Sequence, residues 1–409
     1  MRITQISIKN YRSCINTTFE PGTNLAALIG PNGSGKTNVL SAIRLLPTLC
    51  HTRFRRPAEN DAPGATSEIK TTYEIAGKKV IHTATLNLLN NEKNQDEILA
   101  AEESWYLYDF TGKKNRLHIP SWVFAELEKE SSIGTTRLNA RSSGFIEFLH
   151  SRGIDSATIK ILQEIVRSIS AISYYSASQF TNPGSCPISF EVEADNKRRT
   201  GISITGHKKF LYDMYQEHRN KSESYAEFID LVGDNGIGLV KNIDFKEITT
   251  SSSNYNVLTG GKYVKKERQN LLVIPSFEIA GNTLSPSQLS EGTFKTLALV
   301  FYLVTDKSSI LMLEEPEVCV HHGLLNSIIE LIRTYSNEKQ IILTTHSDAV
   351  IDQLDVDNVF SVKRIAPSGT VVSNIKKRMK AEELKALKDY LANEGSLGEY
   401  WKHGDLENV

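Results

Sequence analysis

The segment GPNGSGKT, Gly30 to Thr37, satisfies the spacing G-x-x-x-x-G-K-[ST], and each residue type in it answers a need of phosphate binding. Glycine carries no Cβ, so the backbone N–H groups of Asn32, Gly33, Ser34 and Gly35 can close around a phosphate without steric conflict. The helix expected to follow points its positive dipole end at the same charge. The Lys36 ammonium can bridge the β- and γ-phosphates of a nucleoside triphosphate, and the Thr37 hydroxyl can ligate Mg²⁺.

A second window, ILMLEEPEVCVHHG at 310 to 323, holds Glu314, Glu315, Cys319, His321 and His322. Read as a metal site it lacks the second separated ligand pair that zinc centres draw on. Read as the end of an apolar strand it supplies what the phosphate loop needs. Adjacent residues at a strand end point in different directions, so Glu314 is placed to hold Mg²⁺, often through water, while Glu315 serves as the base that polarises attacking water. LSEGTFKTLA puts Ser290 and Gly292 at the start of an apolar helix. That is another helix N-terminus able to face phosphate, and in trans it would close over the γ-phosphate of a second subunit. QIILTTHSD is an apolar strand ending at His346, a residue able to hydrogen-bond the γ-phosphate or the water.

These groups need a scaffold that brings strand ends together. RITQISIKNY alternates as a strand, NLAALIG is a short apolar strand, and KTNVLSAIRLL has helical spacing with Val39, Leu40, Ile43 and Leu46 on one face. Residues from about 68 to 110 resemble antiparallel strands with a hairpin around Gly77. The stretch from about 120 to 170, including VFAELEKE and SATIKILQEIVRSIS, and the stretch 210 to 232 have helical character, and strands resume at IDFKEIT and NLLVIPSFEIA. After 285, helices alternate with buried strands. The expected fold is α/β: a P-loop NTPase with a mixed sheet, which the resemblance given below implies is ABC-ATPase-like, an antiparallel β layer and an inserted helical subdomain. The expected division is 1–115 (phosphate-loop lobe and β layer), 116–245 (mainly helical insertion) and 246–409 (second ATPase lobe).

In a chain of 409 residues, 47 basic and 48 acidic side chains give a formal net charge of −1, which excludes a basic coat but not a local basic patch. Four cysteines without a C-x-x-C pair fit a reduced compartment. The start MRITQISIKNYRS is not a signal peptide, and no apolar run reaches the length of a membrane span. A cytoplasmic protein without membrane contact is expected.

The ordered set GPNGSGKTN, LSEGT, LMLEEPE and TTH resembles the ABC-type ATPase heads of the RecF/SMC group, and more closely the ATPase domain of the OLD (overcoming lysogenisation defect) family. The resemblance is dense at both ends of the chain and thin from about 50 to 280. It implies that Arg12 in IKNYRS reaches the nucleotide phosphates, that Asn38 belongs to the site, and that Gln179 in SYYSASQ contacts Mg²⁺ and the water as a Q-loop glutamine. It also implies a dimer-contact role for His321. ATP and Mg²⁺ are the implied cofactors, and a homodimer or higher oligomer through the ATP sites is the implied assembly. LSEGT in place of LSGGQ speaks against a transporter, and Glu314 stands where many relatives have Asp. No heptad run links the two ends, and the stretch after His346 leaves no room for the TOPRIM nuclease that OLD nucleases append.

The function this implies is an ATP-gated dimeric sensor or scaffold in bacterial anti-phage defence, acting with a separately encoded effector, expected to be a nuclease. The alternative is a RecF-like repair ATPase that clamps duplex DNA through the clusters NKRR (Lys197 to Arg199), KKER (Lys265 to Arg268) and KKRMK (Lys376 to Lys380). A small-molecule kinase explains neither LSEGT nor His346.

Overall fold

The structure, a computed structural model, describes residues 1–22, 24–51, 66–75, 77–90, 96–109, 117–119, 150, 153, 156–193, 206–257, 263–318, 320–393 and 395–402. In chain order the main elements begin with β1 (Arg2–Tyr11), β2 (Cys14–Phe19), β3 (Leu25–Ile29) and α1 (Lys36–His51). Next come β4 (Thr66–Ile75), β5 (Lys78–Asn90), β6 (Asp96–Asp109), β7 (Leu117–Ile119), α2 (Ser156–Ser170), β8 (Ser173–Ser176) and β9 (Phe190–Glu193). They continue with α3 (Gly206–Arg219), α4 (Glu223–Val232), β10 (Asn242–Val257), β11 (Tyr263–Ile279), β12 (Asn282–Leu284) and α5 (Glu291–Thr305). The last part holds β13 (Ile310–Glu314), α6 (His322–Tyr335), β14 (Gln340–Thr345), β15 (Val359–Ile365), β16 (Gly369–Asn374) and a helix at Ala381–Asn393. The VFAELEKE helix and the NKRR cluster lie outside the described residues.

The chain forms two compact units, Met1–Tyr174 with Lys307–Pro316 and Ile332–Val409, and Tyr175–Asp306 with Glu317–Leu331. Strand β10 runs without a break across the expected boundary at 245 and 246.

Two sheets build the first unit. One is antiparallel in the order β2-β1-β4-β5-β6-β7, with the expected hairpin at Gly77 joining β4 to β5. In β1 the buried positions pass from Ile3 to Ile6 and Ile8. A register shift between Ile3 and Gln5 makes this possible, because one extra residue exchanges the faces of a strand. The other sheet has the order β16-β15-β3-β14-β13-β8, and β15, β3, β14 and β13 are parallel. Strands LAALI and QIILTT are buried at every position, as strands covered on both faces must be, which is why LAALI and the IIL centre of QIILTT read as apolar runs. Val39, Leu40, Ile43 and Leu46 of α1 are fully buried and share one core with Ile6 and Ile8 of β1, Ile165 and Ile169 of α2, and Ile342 and Met312 of the parallel strands.

The second unit pairs β10, β11 and β12 in an antiparallel sheet, with β9 against β11. Its helices close over aromatic side chains: Phe210 meets Phe294 and Phe301 edge-on with ring centroids 5.3 and 5.6 Å apart. The stretch 210 to 232, continuous in the sequence pattern, is divided. Lys221 takes φ +50, and the Ser222 hydroxyl accepts from the Tyr225 N–H at 3.1 Å, so a serine N-cap ends one helix and starts the next.

Candidate functional site

The parallel strands bring three chain segments level. Glu314 at the end of β13 is in register with Thr344 of β14, and Thr344 with Leu28 of β3. The next residues along are Glu315, Thr345 and Ile29, followed by His346 and Gly30. The loop Gly30–Lys36, the two glutamates and the histidine therefore all leave the carboxyl ends of neighbouring parallel strands, the place where open α/β sheets bind ligands.

The loop itself is held by geometry that only glycine meets at two positions. Gly30 has φ +158, and a Cβ there would stand 2.4 Å from the Val362 carbonyl oxygen. Gly35 has φ +107, and its Cβ would stand 2.1 Å from Thr370 Oγ1. Lys36 is buried, and its Nζ donates to the carbonyls of Gly30 at 2.7 Å and Pro31 at 3.2 Å, so the ammonium is folded into the mouth of the loop. Among the described residues the buried Ser34 hydroxyl has no hydrogen-bond partner, an open polar position inside the loop. Asn32 and Gly33 are exposed at its tip. The Thr37 hydroxyl donates to Glu314 Oε1 at 2.5 Å. A hydroxyl oxygen and a carboxylate oxygen in contact, beside an ammonium and an unpartnered hydroxyl, suit a hard cation with phosphate oxygens.

Glu315 is held in a left-handed backbone conformation, φ +45. This costs a residue with a Cβ about 1–2 kcal/mol. Its N–H donates to the Thr344 carbonyl at 3.0 Å, which fixes the turn out of β13. The turn brings Glu315 Oε1 to 3.4 Å from His346 Nδ1, with 36% and 48% of the two side chains exposed. Strain of this kind concentrates at working sites.

Beneath the loop runs a polar network. Arg12, itself at φ +50, pairs with Asp96 at 2.9 Å and donates to Asn38 Oδ1 at 3.4 Å. Asn38 donates to the Ser13 hydroxyl at 2.6 Å, Ser13 and Thr370 share a bond of 2.7 Å, and Thr370 Oγ1 donates to the Ser34 carbonyl at 3.1 Å. Tyr11 donates to Asp96 at 2.5 Å, and burial, then this hydrogen bond, pushes its phenol above the usual range. Arg12 and Asn38 thus stand together at the base of α1.

The remaining expected residues belong to the second unit. Ser290 caps α5, its hydroxyl accepting from the Thr293 N–H at 3.1 Å, with Gly292 in the first turn. Gln179 is exposed on the single helical turn Ala177–Phe180. His321 Nδ1 accepts from the Gly323 N–H at 3.1 Å. Cys319 lies outside the described residues, among which no group of three His, Cys, Asp or Glu is arranged to hold a metal ion. No helix among them is long and apolar enough to cross a membrane.

Sequence reasoning missed Asp96, Ser13, Thr370 and Tyr174. The Tyr174 hydroxyl donates to Glu314 Oε2, and the Arg44 guanidinium lies over the Tyr174 ring at 4.0 Å from its centre. Ser13 and Tyr174 lie within IKNYRS and SYYSASQ, beside the residues singled out there, whereas Asp96 and Thr370 carry no motif. The partner that each meets is set by the fold, which the sequence does not signal.

A parallel α/β sheet whose central strand turns through Gly-x-x-x-x-Gly-Lys-Thr into a helix is the fold of the P-loop NTPases. The chain belongs to the family described as "AAA ATPase domain", whose model matches residues 1–230. A second family model, "AAA domain, putative AbiEii toxin, Type IV TA system", matches residues 265–352. Over 43 residues the chain is 46% identical to the DNA replication and repair protein RecF of Prosthecochloris aestuarii, and 49% identical to that of Chlorobaculum tepidum. These matches span 10% of the chain and 12% of each relative. Among solved structures, an SMC head domain from Thermotoga maritima is similar at 14% identity and TM-score 0.45, covering 92% of this chain and 99% of that one. An SMC head bound to the C-winged helix domain of ScpA is similar at 14% identity and TM-score 0.49, covering 95% and 100%.

Proposed function

We propose that the chain binds ATP with Mg²⁺ and hydrolyses it to ADP and phosphate. The observation that carries this reading is the contact of Thr37 with Glu314 at 2.5 Å beside the phosphate loop, with Glu315 and His346 paired on the adjoining strand ends. Loop N–H groups and Lys36 hold the phosphates, with Lys36 exchanging its two carbonyl partners for phosphate oxygens. Thr37 and Glu314 would hold the ion, which supplies charge neutralisation on the phosphate oxygens. Glu315 takes the proton of the attacking water, and His346 orients that water or senses the γ-phosphate. Arg12 reaches the phosphates by leaving Asp96, Asn38 remains on α1 beside it, and Gln179 contacts the ion and the water.

In this reading Ser290 and Gly292 act in trans, so that ATP closes a homodimer, and His321 lies at the contact. The assembly works as a sensor or scaffold in bacterial anti-phage defence of the OLD kind, in the cytoplasm, with a separately encoded effector, a nuclease. The family model for residues 265–352, whose description includes "Type IV TA system", supports a reading in which a second protein acts with the chain.

A second reading is a RecF-like ATPase that clamps duplex DNA, favoured by the local identity to RecF. Against it, Lys376 pairs with Asp357 at 2.6 Å and Lys377 with Glu20 at 2.8 Å, so two cations of KKRMK have carboxylates beside them. The deciding experiment is the mass of Glu315→Gln protein purified with the products of its neighbouring genes, with and without ATP–Mg²⁺. A neighbour that stays bound or leaves with nucleotide supports the sensor. A bare ATP-dependent dimer that gains mass only with duplex DNA supports the clamp.

A further inference from the structure

The carboxylate of Glu314 is gripped at both oxygens, by side chains of two different elements. Thr37 Oγ1 of α1 donates to Oε1 at 2.5 Å, and the Tyr174 hydroxyl of β8 donates to Oε2. Tyr174 is itself covered by Arg44, whose guanidinium carbon stands 4.0 Å from the ring centre. Thr37 and Arg44 are seven residues apart on one helix, close to two full turns, and so share a face. One helix face therefore holds Glu314 twice, directly through Thr37 and indirectly through the Arg44–Tyr174 stack.

A glutamate has three side-chain torsions, and ordering such a chain carries an entropic cost when nothing restrains it beforehand. Two hydroxyl donors on different oxygens remove that freedom in advance. Hydroxyl donors bring no positive charge to the carboxylate, whereas a lysine or arginine in either place would compete with the cation for it.

We propose that Tyr174 is a positioning residue for the divalent cation: its hydroxyl, steadied by Arg44, presets the Glu314 carboxylate for Mg²⁺ that accompanies the nucleotide. The Tyr174 hydroxyl acts only through Glu314, so it governs the cation step and leaves the phosphate contacts of Lys36 and the loop alone. This rests on the reading of Thr37 and Glu314 as the cation ligands.

The test is a Mg²⁺ titration of the binding of a fluorescent ATP analogue to the full chain, alongside its affinity in EDTA and the melting temperature. Tyr174→Phe keeps the ring and its stack with Arg44 but loses the hydroxyl. The Mg²⁺ concentration for half-maximal binding should rise about tenfold, the scale of one hydrogen bond to a charged group, while affinity in EDTA stays within about twofold of the parent. Arg44→Met, which keeps the hydroxyl, should shift the midpoint in the same direction by less, and it decides the matter if Tyr174→Phe does not fold. An unchanged midpoint in Tyr174→Phe together with a raised one in Glu314→Gln overturns the role of Tyr174 and leaves the cation site standing. An unchanged midpoint in both overturns the cation site as well. Equal weakening with and without Mg²⁺ also overturns the proposal, because it marks general damage to the fold.

Discussion

His346 Nδ1 lies 3.4 Å from Oε1 of Glu315, and the two side chains reach each other from the ends of adjacent parallel strands. The strained backbone of Glu315 makes this meeting possible: an extended residue after Glu314 would continue the line of β13, whereas φ +45 turns the side chain toward β14. On the proposed reading, Glu315 is the base in this pair and His346 the group that orients the water or senses the γ-phosphate.

Glu315→Gln should therefore retain ATP binding and lose turnover by about a hundredfold or more. Phosphate release measured beside nucleotide affinity separates the two. His346→Ala should lower turnover by less, since Glu315 keeps its carboxylate. Full activity in Glu315→Gln would place the base elsewhere.

Lys36→Ala removes the ammonium in the mouth of the loop. Nucleotide affinity should fall at least about tenfold, or 1.4 kcal/mol, in a calorimetric titration, with the melting temperature little changed. Unaltered affinity would reject Gly30 to Thr37 as the phosphate site.

The glycines of the loop should differ in their tolerance of a methyl group. At Gly33, φ is +79 but a Cβ meets nothing within 4 Å, so Gly33→Ala should cost about 1–2 kcal/mol from the backbone alone. At Gly35 the Cβ would stand 2.1 Å from Thr370 Oγ1 and 2.8 Å from Ser13 Oγ, so Gly35→Ala should cost about 2–4 kcal/mol. Denaturant midpoints of the two variants check the ordering.

Alkaline pH should destabilise the protein. Burial holds the phenols of Tyr73 and Tyr175 protonated well above the usual range. Tyr302 is held up by burial first and then by the charge of Asp213. Above pH of about 10 the unfolded chain has lost these protons and the folded chain has not, so stability falls as pH rises, by about 1.4 kcal/mol per pH unit for each such phenol. Absorbance of phenolate at 295 nm should show a fraction of the tyrosines ionising only together with loss of the folded circular dichroism signal. A smooth titration of every tyrosine in the folded state would contradict the burial.

The second unit depends on its aromatic core. Phe301 is 1% exposed and meets Phe210, Phe228 and Tyr302 at 5.3 to 5.6 Å between ring centres. Phe301→Ala should cost about 3–5 kcal/mol, read from urea unfolding, with nucleotide affinity of the loop unchanged.

Much of the parallel core was legible in the sequence because its signals are local. LAALI and ILML are apolar without interruption and QIILTT has an apolar centre, and each runs into residue types with a chemical use, so strand, loop and site residue could be read in one window. Thr37, Glu314, Glu315 and His346 belong to such windows, and the structure brings them together in the first unit. Two things were hidden. Strand neighbours depend on non-local pairing, so Tyr174 beside Glu314 and Thr370 beneath Gly35 had no sequence signal. The division of 210 to 232 was present in the polar run QEHRNKSES and its Ser222, but a serine N-cap between two segments of helical character is easily read through. Arg12 was found by resemblance, whereas its carboxylate partner Asp96 opens a strand otherwise unremarkable in pattern.

The position of β3 in its sheet has a consequence for biogenesis. Its two neighbours, β14 and β15, come from residues 340–365, although β3 itself is finished at Ile29. During synthesis the phosphate loop thus emerges long before any strand exists to flank it, and at 5–20 residues per second that interval is on the order of tens of seconds. A ribosome-bound or prematurely terminated chain carries the loop without its glutamates, its histidine or the sheet that orders it. On the proposed reading, nucleotide capture waits until residues 340–365 have joined β3.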